Sequence, residues 1–380
     1  MTNSKEIDIA QKLIRCKSIA PKDGGALKIV EKECKAMGFK CTKLRFSEKG
    51  FDTINNLYAE IGNGKPHFSF AGHVDVVPAN KKDWMLDPFA GIIKNNFLIG
   101  RGAVDMKSAV ACFISAAKNY LNENKNFKGK ISMMITTDEE TYAWLGTRKI
   151  IQWLKEKKIR IDNCLVGEPT NTKILGDGIK IGRRGGFNGI VEVQGKEGHS
   201  AWPNRTVNPV SGLIKMLSNI DKKILDKGTK HFQPSIISIT SVDVGNKALN
   251  VIPAKARGSF NIRFNTLHTI KSLTKWIKKE FNKVGLKYKL ETYVSGNAFL
   301  TKPGKFSELI KKCIKKITRR TPKYTTTGGT SDARFIKDYT NVVEFGLVGE
   351  TMHTNNERVS LKDLKDLTKI YKLILEEYFK

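Results

Sequence analysis

His73 and Asp75 stand two residues apart at the end of the apolar run "SFAGHVDVVP". Three other segments carry acids where apolar runs end or a helix begins. "GRGAVDMKS" holds Asp105, "ITTDEETYAW" holds Asp138, Glu139 and Glu140, and "LVGEPT" holds Glu168. Taken singly, each reads as something ordinary: a satisfied histidine, a helix N-cap, an acid near a helix N-terminus. Gathered in one place, the acids would repel one another unless positive charge sat among them. Zinc takes histidine nitrogen and carboxylate oxygen, and two ions about 3.5–4 Å apart can share one carboxylate. A dinuclear metal site therefore meets the need. If His73 and Asp75 lie on one strand, they share a face, and Asp75 can take the second ring N–H of the histidine. A second histidine is wanted. His67 precedes its strand, His231 and His268 fall in linkers, and His353 in "GETMHTNNE" follows the apolar run "VVEFGLVG".

Such residues converge only if the strands before them lie side by side. Open α/β sheets bind ligands beyond the carboxyl ends of their strands. Up to about residue 178, strand-like and helix-like segments alternate. "NNLYAEIG", "PHFSFAGHVDVV", "GKISMMITT" and "NCLVG" read as strands, and "DMKSAVACFISAAKNYLNEN" as a helix. From 179 to 295 the order is β-α-β-β-α-β, a two-layer unit able to stand alone. The α/β texture then returns and ends in the helix "LKDLKDLTKIYKLILEEYF". The expected fold class is thus α/β. Residues 1–178 and 296–380 form a metal-binding catalytic domain, and 179–295 an inserted two-layer domain.

Composition bounds the function. Of 380 residues, 67 are Lys or Arg and 37 Asp or Glu, a formal charge of +30. The basic residues are spread along the chain, with no basic tail, aromatic RNA-binding motif or zinc finger. A solvated cationic surface that attracts an anionic substrate is the expectation, and no nucleic acid is expected as a partner. No stretch approaches the ~18 apolar residues of a membrane span, so no membrane is expected either. The amphipathic N-terminus reads as a first helix. Six cysteines without CxxC pairing read as reduced thiols, and the expected location is cytoplasmic.

In chain order, "GHVDVVP", "GRGAVDMKS", "TTDEE", "VGEPT", "GHSAWP", "NVIP" and "GGTSDARF" resemble the motifs of the dinuclear zinc amidohydrolase and peptidase family that includes carboxypeptidase G2-like enzymes. The resemblance runs from about residue 55 to 360. It implies two Zn2+ per subunit, with Co2+ as a possible substitute. Asp105 matches the bridging carboxylate, His73 and Glu168 the other ligands of one ion, and Glu140 and His353 those of the second. Glu139 matches the general base, and the Asp105–Met106 peptide is expected to be cis. The inserted domain is the family's dimerisation domain, so a homodimer is implied. In it His199 matches the oxyanion-stabilising histidine and Asn250 a substrate contact, both reaching the partner's site. The implied substrate is a small anionic N-acyl amino acid. "GRRGG" and "GGTSDARF" look most like the branch that removes succinyl groups from a diamino acid, with a related deacylase or metallopeptidase as the alternative. Arg183, Gly329 and Thr330 are the candidates for holding substrate carboxylates. Gly186 and Gly349 stand where that branch carries Ser and Asn.

Overall fold

The structure, a computed structural model, describes residues 4–380. The chain forms two compact units. Of the described residues, the first comprises 4–181, 301–325 and 331–380, and the second 182–300 with 326–330. The second unit starts and ends a few residues later than the alternation of the sequence suggests. The reason is a short pairing at its root, where the Gly182–Arg183 and Phe299–Leu300 strands join antiparallel.

The first unit is built on an eight-stranded sheet. Its centre is four parallel strands, in the order Gly129–Thr136, His67–His73, Asn163–Val166, Asn341–Glu344. These strands are buried along nearly their whole length. That is why they read as continuous apolar runs and not as alternating ones. The sheet edge at Lys40–Phe46 is antiparallel and, apart from Leu44, exposed or part-exposed.

The helix Lys107–Glu123 packs against Lys5–Arg15 and Leu361–Tyr378. Phe113 stacks on Phe70 of the central strand at 4.3 Å between ring centroids, and Tyr371 meets both rings edge-on. Burying each such ring contributes about 1.5–3 kcal/mol. The Tyr371 hydroxyl donates to the Phe345 carbonyl at 2.7 Å, so no polar atom of the ring is wasted in the core. Lys107 opens its helix fully buried, and its Nζ donates to the Cys16 carbonyl at 2.8 Å. Burial pulls its pKa down to about 8. This bond ties the turn after Asp105 to the end of the Lys5–Arg15 helix. No helix among the described residues is long and apolar enough to cross a membrane.

The second unit is a four-stranded antiparallel sheet in the order Ile236–Asp243, Lys255–Phe264, Gly185–Gln194, Tyr288–Gly296. The helices Pro209–Asp221 and Ile270–Asn282 bury its core, which includes Phe187, Phe260, Phe264, Leu213, Ile277 and Phe281. Lys255–Phe264 alternates buried with less buried residues, as a strand packed on one side must. Asn208 caps the first helix, and Thr269 with Ser272 forms a capping box on the second.

Candidate metal centre

The parallel strands deliver their ends to one edge of the sheet. His73 closes the His67–His73 strand, Asp138, Glu139 and Glu140 follow Gly129–Thr136, and Glu168 follows Asn163–Val166. Asp105 sits just before the Lys107–Glu123 helix, joined to Met106 by a cis peptide. His353 lies in an exposed turn beyond Asn341–Glu344. Among the described residues two groups of donors result, each with ligand atoms within 4.8 Å of one another. One is His73, Asp105 and Glu168; the other is Asp105, Glu140 and His353.

Asp105 belongs to both, with one oxygen toward each histidine. Its Oδ1 is 3.1 Å from His73 Nε2, and its Oδ2 is 3.2 Å from His353 Nε2. Glu168 lies 3.7 Å from His73 and Glu140 2.9 Å from His353. The His73 side chain is 1% exposed and that of His353 43%, so the first group is the inner one. Burial opposes ionisation of Asp105, but bonds from His353 and His73 outweigh it and hold the carboxyl well below the usual range. Each group offers one nitrogen and two carboxylates, a donor set that suits a divalent zinc-like ion and leaves room for water or substrate. Two ions there would replace the imidazolium protons that now balance the acids.

Asp75 departs from the expected geometry. The strand stops at His73, so Asp75 lies beyond it and the shared-face argument does not apply. His73 Nδ1 donates to the Asp75 main-chain carbonyl at 3.0 Å, while the Asp75 carboxylate stands 3.6 Å away. That carboxylate instead accepts the backbone N–H groups of Glu139 and Glu140 at 3.1 and 2.9 Å. It thereby holds the turn that carries both glutamates. Burial pushes the Asp75 carboxyl up to about 7, against the pull of His73.

Glu139 is half-buried at the rim of the cluster. Desolvation, with Glu168 next, raises its carboxyl well above the usual range. Asp332 of "GGTSDARF" is a further acid of the cluster that sequence reading did not single out. It is 4% exposed, and burial raises its carboxyl too. Its signal was present, since the motif containing it had been noticed, but no spacing rule tied it to the other acids.

Gly346 makes the close approach possible. A Cβ there would lie 2.3 Å from the Gly167 carbonyl oxygen and 2.5 Å from that of Glu168. Gly346→Ala should therefore shift the strand end bearing Glu168. Overpacking of this kind costs about 1–3 kcal/mol. Thermal unfolding should show that loss together with weaker metal binding, and unchanged metal affinity would argue against it.

The profile of peptidase family M20/M25/M40 matches residues 69–377. The chain belongs to this family. A relative in Pelagibacter ubique, named succinyl-diaminopimelate desuccinylase, is 51% identical over 384 residues and covers 100% of both chains. A protein of the same name in Parvibaculum lavamentivorans is 50% identical over 378 residues, 98% of this chain and 95% of that one. The fold is that of an M20 family metallo-carboxypeptidase from Sulfolobus solfataricus, with TM-score 0.79 at 17% identity over 99% of each chain. In this M20 chain the two histidines carry a further consequence. His353 is raised to about 10 by its bonds to Asp105 and Glu140, and His73 is raised by Asp105 and Asp75 against its burial. In the metal-free protein His353 holds its proton at neutral pH. Its stabilisation of the fold is fully present below pH about 6.5 and is lost as pH rises through about 10. Metal binding near pH 7 should therefore release at least the His353 proton. Calorimetry in buffers of different ionisation enthalpy reads this release, which should fall toward pH 10. Release independent of pH would contradict it.

The remaining expected site residues lie in the second unit. His199 and Asn250 come together there: Gly198–His199 pairs with Val251–Ile252, and Ser200 N–H donates to the Asn250 carbonyl at 2.9 Å. Both residues are exposed. Arg183 is 5% exposed, and its Nη1 donates to the Gly329 carbonyl at 3.1 Å, next to the part-exposed Thr330. At Gly186 a Cβ would meet Ser295 Oγ at 2.2 Å and Arg263 Nη1 at 3.0 Å, so a side chain there would displace the ends of both. Arg263, opposite Gly186 in the strand register, is a cation the sequence did not flag, because "NIRFN" reads only as a strand. At Gly349 nothing lies closer than 3.7 Å, so that position is open.

Proposed function

We propose that this protein is a metal-dependent amide hydrolase that converts N-succinyl-L,L-2,6-diaminopimelate and water to succinate and L,L-2,6-diaminopimelate, a step of lysine and cell-wall precursor biosynthesis in the cytoplasm. The observation that carries the reaction class is the pair of donor groups sharing Asp105, with the raised carboxyl of Glu139 beside them. The substrate follows from the relatives at about half identity over the full chain, which bear that enzyme's name.

In this reading His73, Asp105 and Glu168 hold one Zn2+, and Asp105, Glu140 and His353 the other, with Co2+ as a working substitute. Ions held there supply Lewis acidity and a water of lowered pKa. Glu139 takes the proton of the attacking water and passes it to the leaving amine nitrogen. Asp75 keeps Glu139 in place through its backbone. His199 donates to the developing oxyanion, and Asn250 binds substrate beside it. Arg183 fixes the Gly329–Thr330 turn, and its charge, with that of Arg263, suits the carboxylates of a succinylated substrate. The net charge of +30 favours encounter with such an anion.

A substrate panel tests the assignment. N-succinyl-L,L-2,6-diaminopimelate should be cleaved, with activity lost to a chelator and restored by Zn2+ or Co2+. Faster cleavage of N-acetylornithine would shift the reading to a deacetylase. The second unit is read as the dimerisation domain of a homodimer in which His199 serves the partner's site. Mixing His199→Ala and Glu139→Gln subunits should then restore activity, and no recovery after proven subunit exchange would refute it.

A further inference from the structure

Glu357 follows His353 by four residues and is fully buried. Its carboxylate meets four donors. Oε1 accepts the backbone N–H of Val104 at 2.7 Å and of Asp105 at 3.1 Å. Oε2 accepts the N–H of Gly102 at 3.1 Å and Nη1 of Arg101 at 2.9 Å. Arg101 Nη1 also donates to the Thr354 carbonyl at 3.2 Å, and its guanidinium lies 5.2 Å from the centroid of the Trp84 ring. All four donors come from residues 101–105, the stretch that leads into Asp105. The carboxylate belongs to the turn that carries His353. One side chain thus joins two segments some 250 residues apart in sequence, each bearing a donor of the second metal group.

We propose that Glu357 is a positioning residue of the metal centre. It locks the backbone of 102–105 to the 353–357 turn, so that Asp105 and His353 present their donor atoms to one ion. The turn needs such a lock. His353 has φ 60° and Asn356 φ 57°, left-handed conformations that residues other than glycine keep only when their surroundings hold them. His353 is on the exposed side of the cluster, where packing cannot do this. A carboxylate has about four lone-pair sites, and here each meets one donor. An amide of the same shape has one acceptor oxygen, and its NH2 would face N–H donors.

The inference rests on the reading of the cluster as a two-ion site, and the test separates the two. Glu357→Gln should fold and bind Zn2+ at the weaker position about 10- to 100-fold less tightly, as measured by competition with a chelator. The visible absorption of the Co2+-loaded protein should change, and kcat should fall with KM within about twofold. Leu367→Ala removes core packing on the C-terminal helix, away from the cluster. It should lower the unfolding temperature and leave Zn2+ affinity and the Co2+ spectrum as in wild type. Should Glu357→Gln fail to fold, Arg101→Lys removes the guanidinium fork and keeps the charge. It should then weaken Zn2+ binding by a smaller factor, about 3- to 10-fold. Wild-type affinity and an unmoved Co2+ spectrum in whichever variant folds would overturn the clamp while leaving the two-ion reading intact. A wild-type protein that binds fewer than two ions would overturn both.

Discussion

Glu139→Gln is expected to retain two metal ions and to lose about 10³-fold or more in kcat. A positioned general base contributes about 10²–10⁴-fold, which is about 3–5 kcal/mol of barrier. Glu139 belongs to neither donor group, although its neighbour Glu140 belongs to one. The amide is nearly isosteric and cannot take a proton. Its backbone N–H still bonds to Asp75, so the turn should stay in place. Glu140→Gln should behave differently and weaken the ion bound with His353. The pH profile supplies a second reading. A base must be deprotonated to act, so kcat/KM should rise through the Glu139 pKa on the acid side. Burial and Glu168 raise that pKa in the metal-free protein, and bound cations should lower it. Elemental analysis, kcat and the acid limb together decide the assignment. A Glu139→Gln protein with near wild-type kcat would end it.

Asp105→Ala should lose both ions and essentially all turnover, whereas Glu168→Ala should lose or weaken one. The argument is geometric. Asp105 is the member common to both donor groups, and each of its oxygens faces a different histidine. Removing it leaves His73 with Glu168 and His353 with Glu140, two donors each where three stood. It also strips a hydrogen-bonded carboxylate from both imidazoles, so the pKa of His353 should fall from about 10 toward its ordinary value. Metal content per chain, measured after dialysis against a weak chelator, separates the two variants. Two retained ions in Asp105→Ala would remove its bridging role. Loss of one ion only would place it in a single site.

Much of this was legible in the chain itself. The buried parallel strands are continuous apolar runs, so their type and ends could be read directly. His73, Glu139, Glu140 and Glu168 stand where those runs stop, and Asp105 where a helix begins. The second unit showed its β-α-β-β-α-β order because its strands are packed on one side and its helices carry clear caps. Residue types with known ligand chemistry pointed to a two-ion site before any geometry was in hand.

The tertiary structure decided which residue meets which. The central strands lie in an order that is not their chain order, and no spacing rule encodes that order. Only the sheet brings Glu168 to His73 and Glu140 to His353. The sequence suggested that Asp75 orients His73 through its carboxylate. Because the strand ends at His73, two residues before Asp75, the main-chain carbonyl takes that ring N–H, and the carboxylate turns to the backbone of Glu139 and Glu140. Glu357 was visible only as part of a motif. Its four partners are backbone and side-chain donors from a segment distant in sequence, and backbone N–H groups leave no mark in a sequence. The same holds for Gly346, whose missing side chain matters because another strand's carbonyls lie against it. Which side chains can serve as metal donors is a matter of side-chain chemistry, which a sequence states outright. Ligand geometry depends on how distant backbone segments are fastened together, and that is settled only when the chain folds.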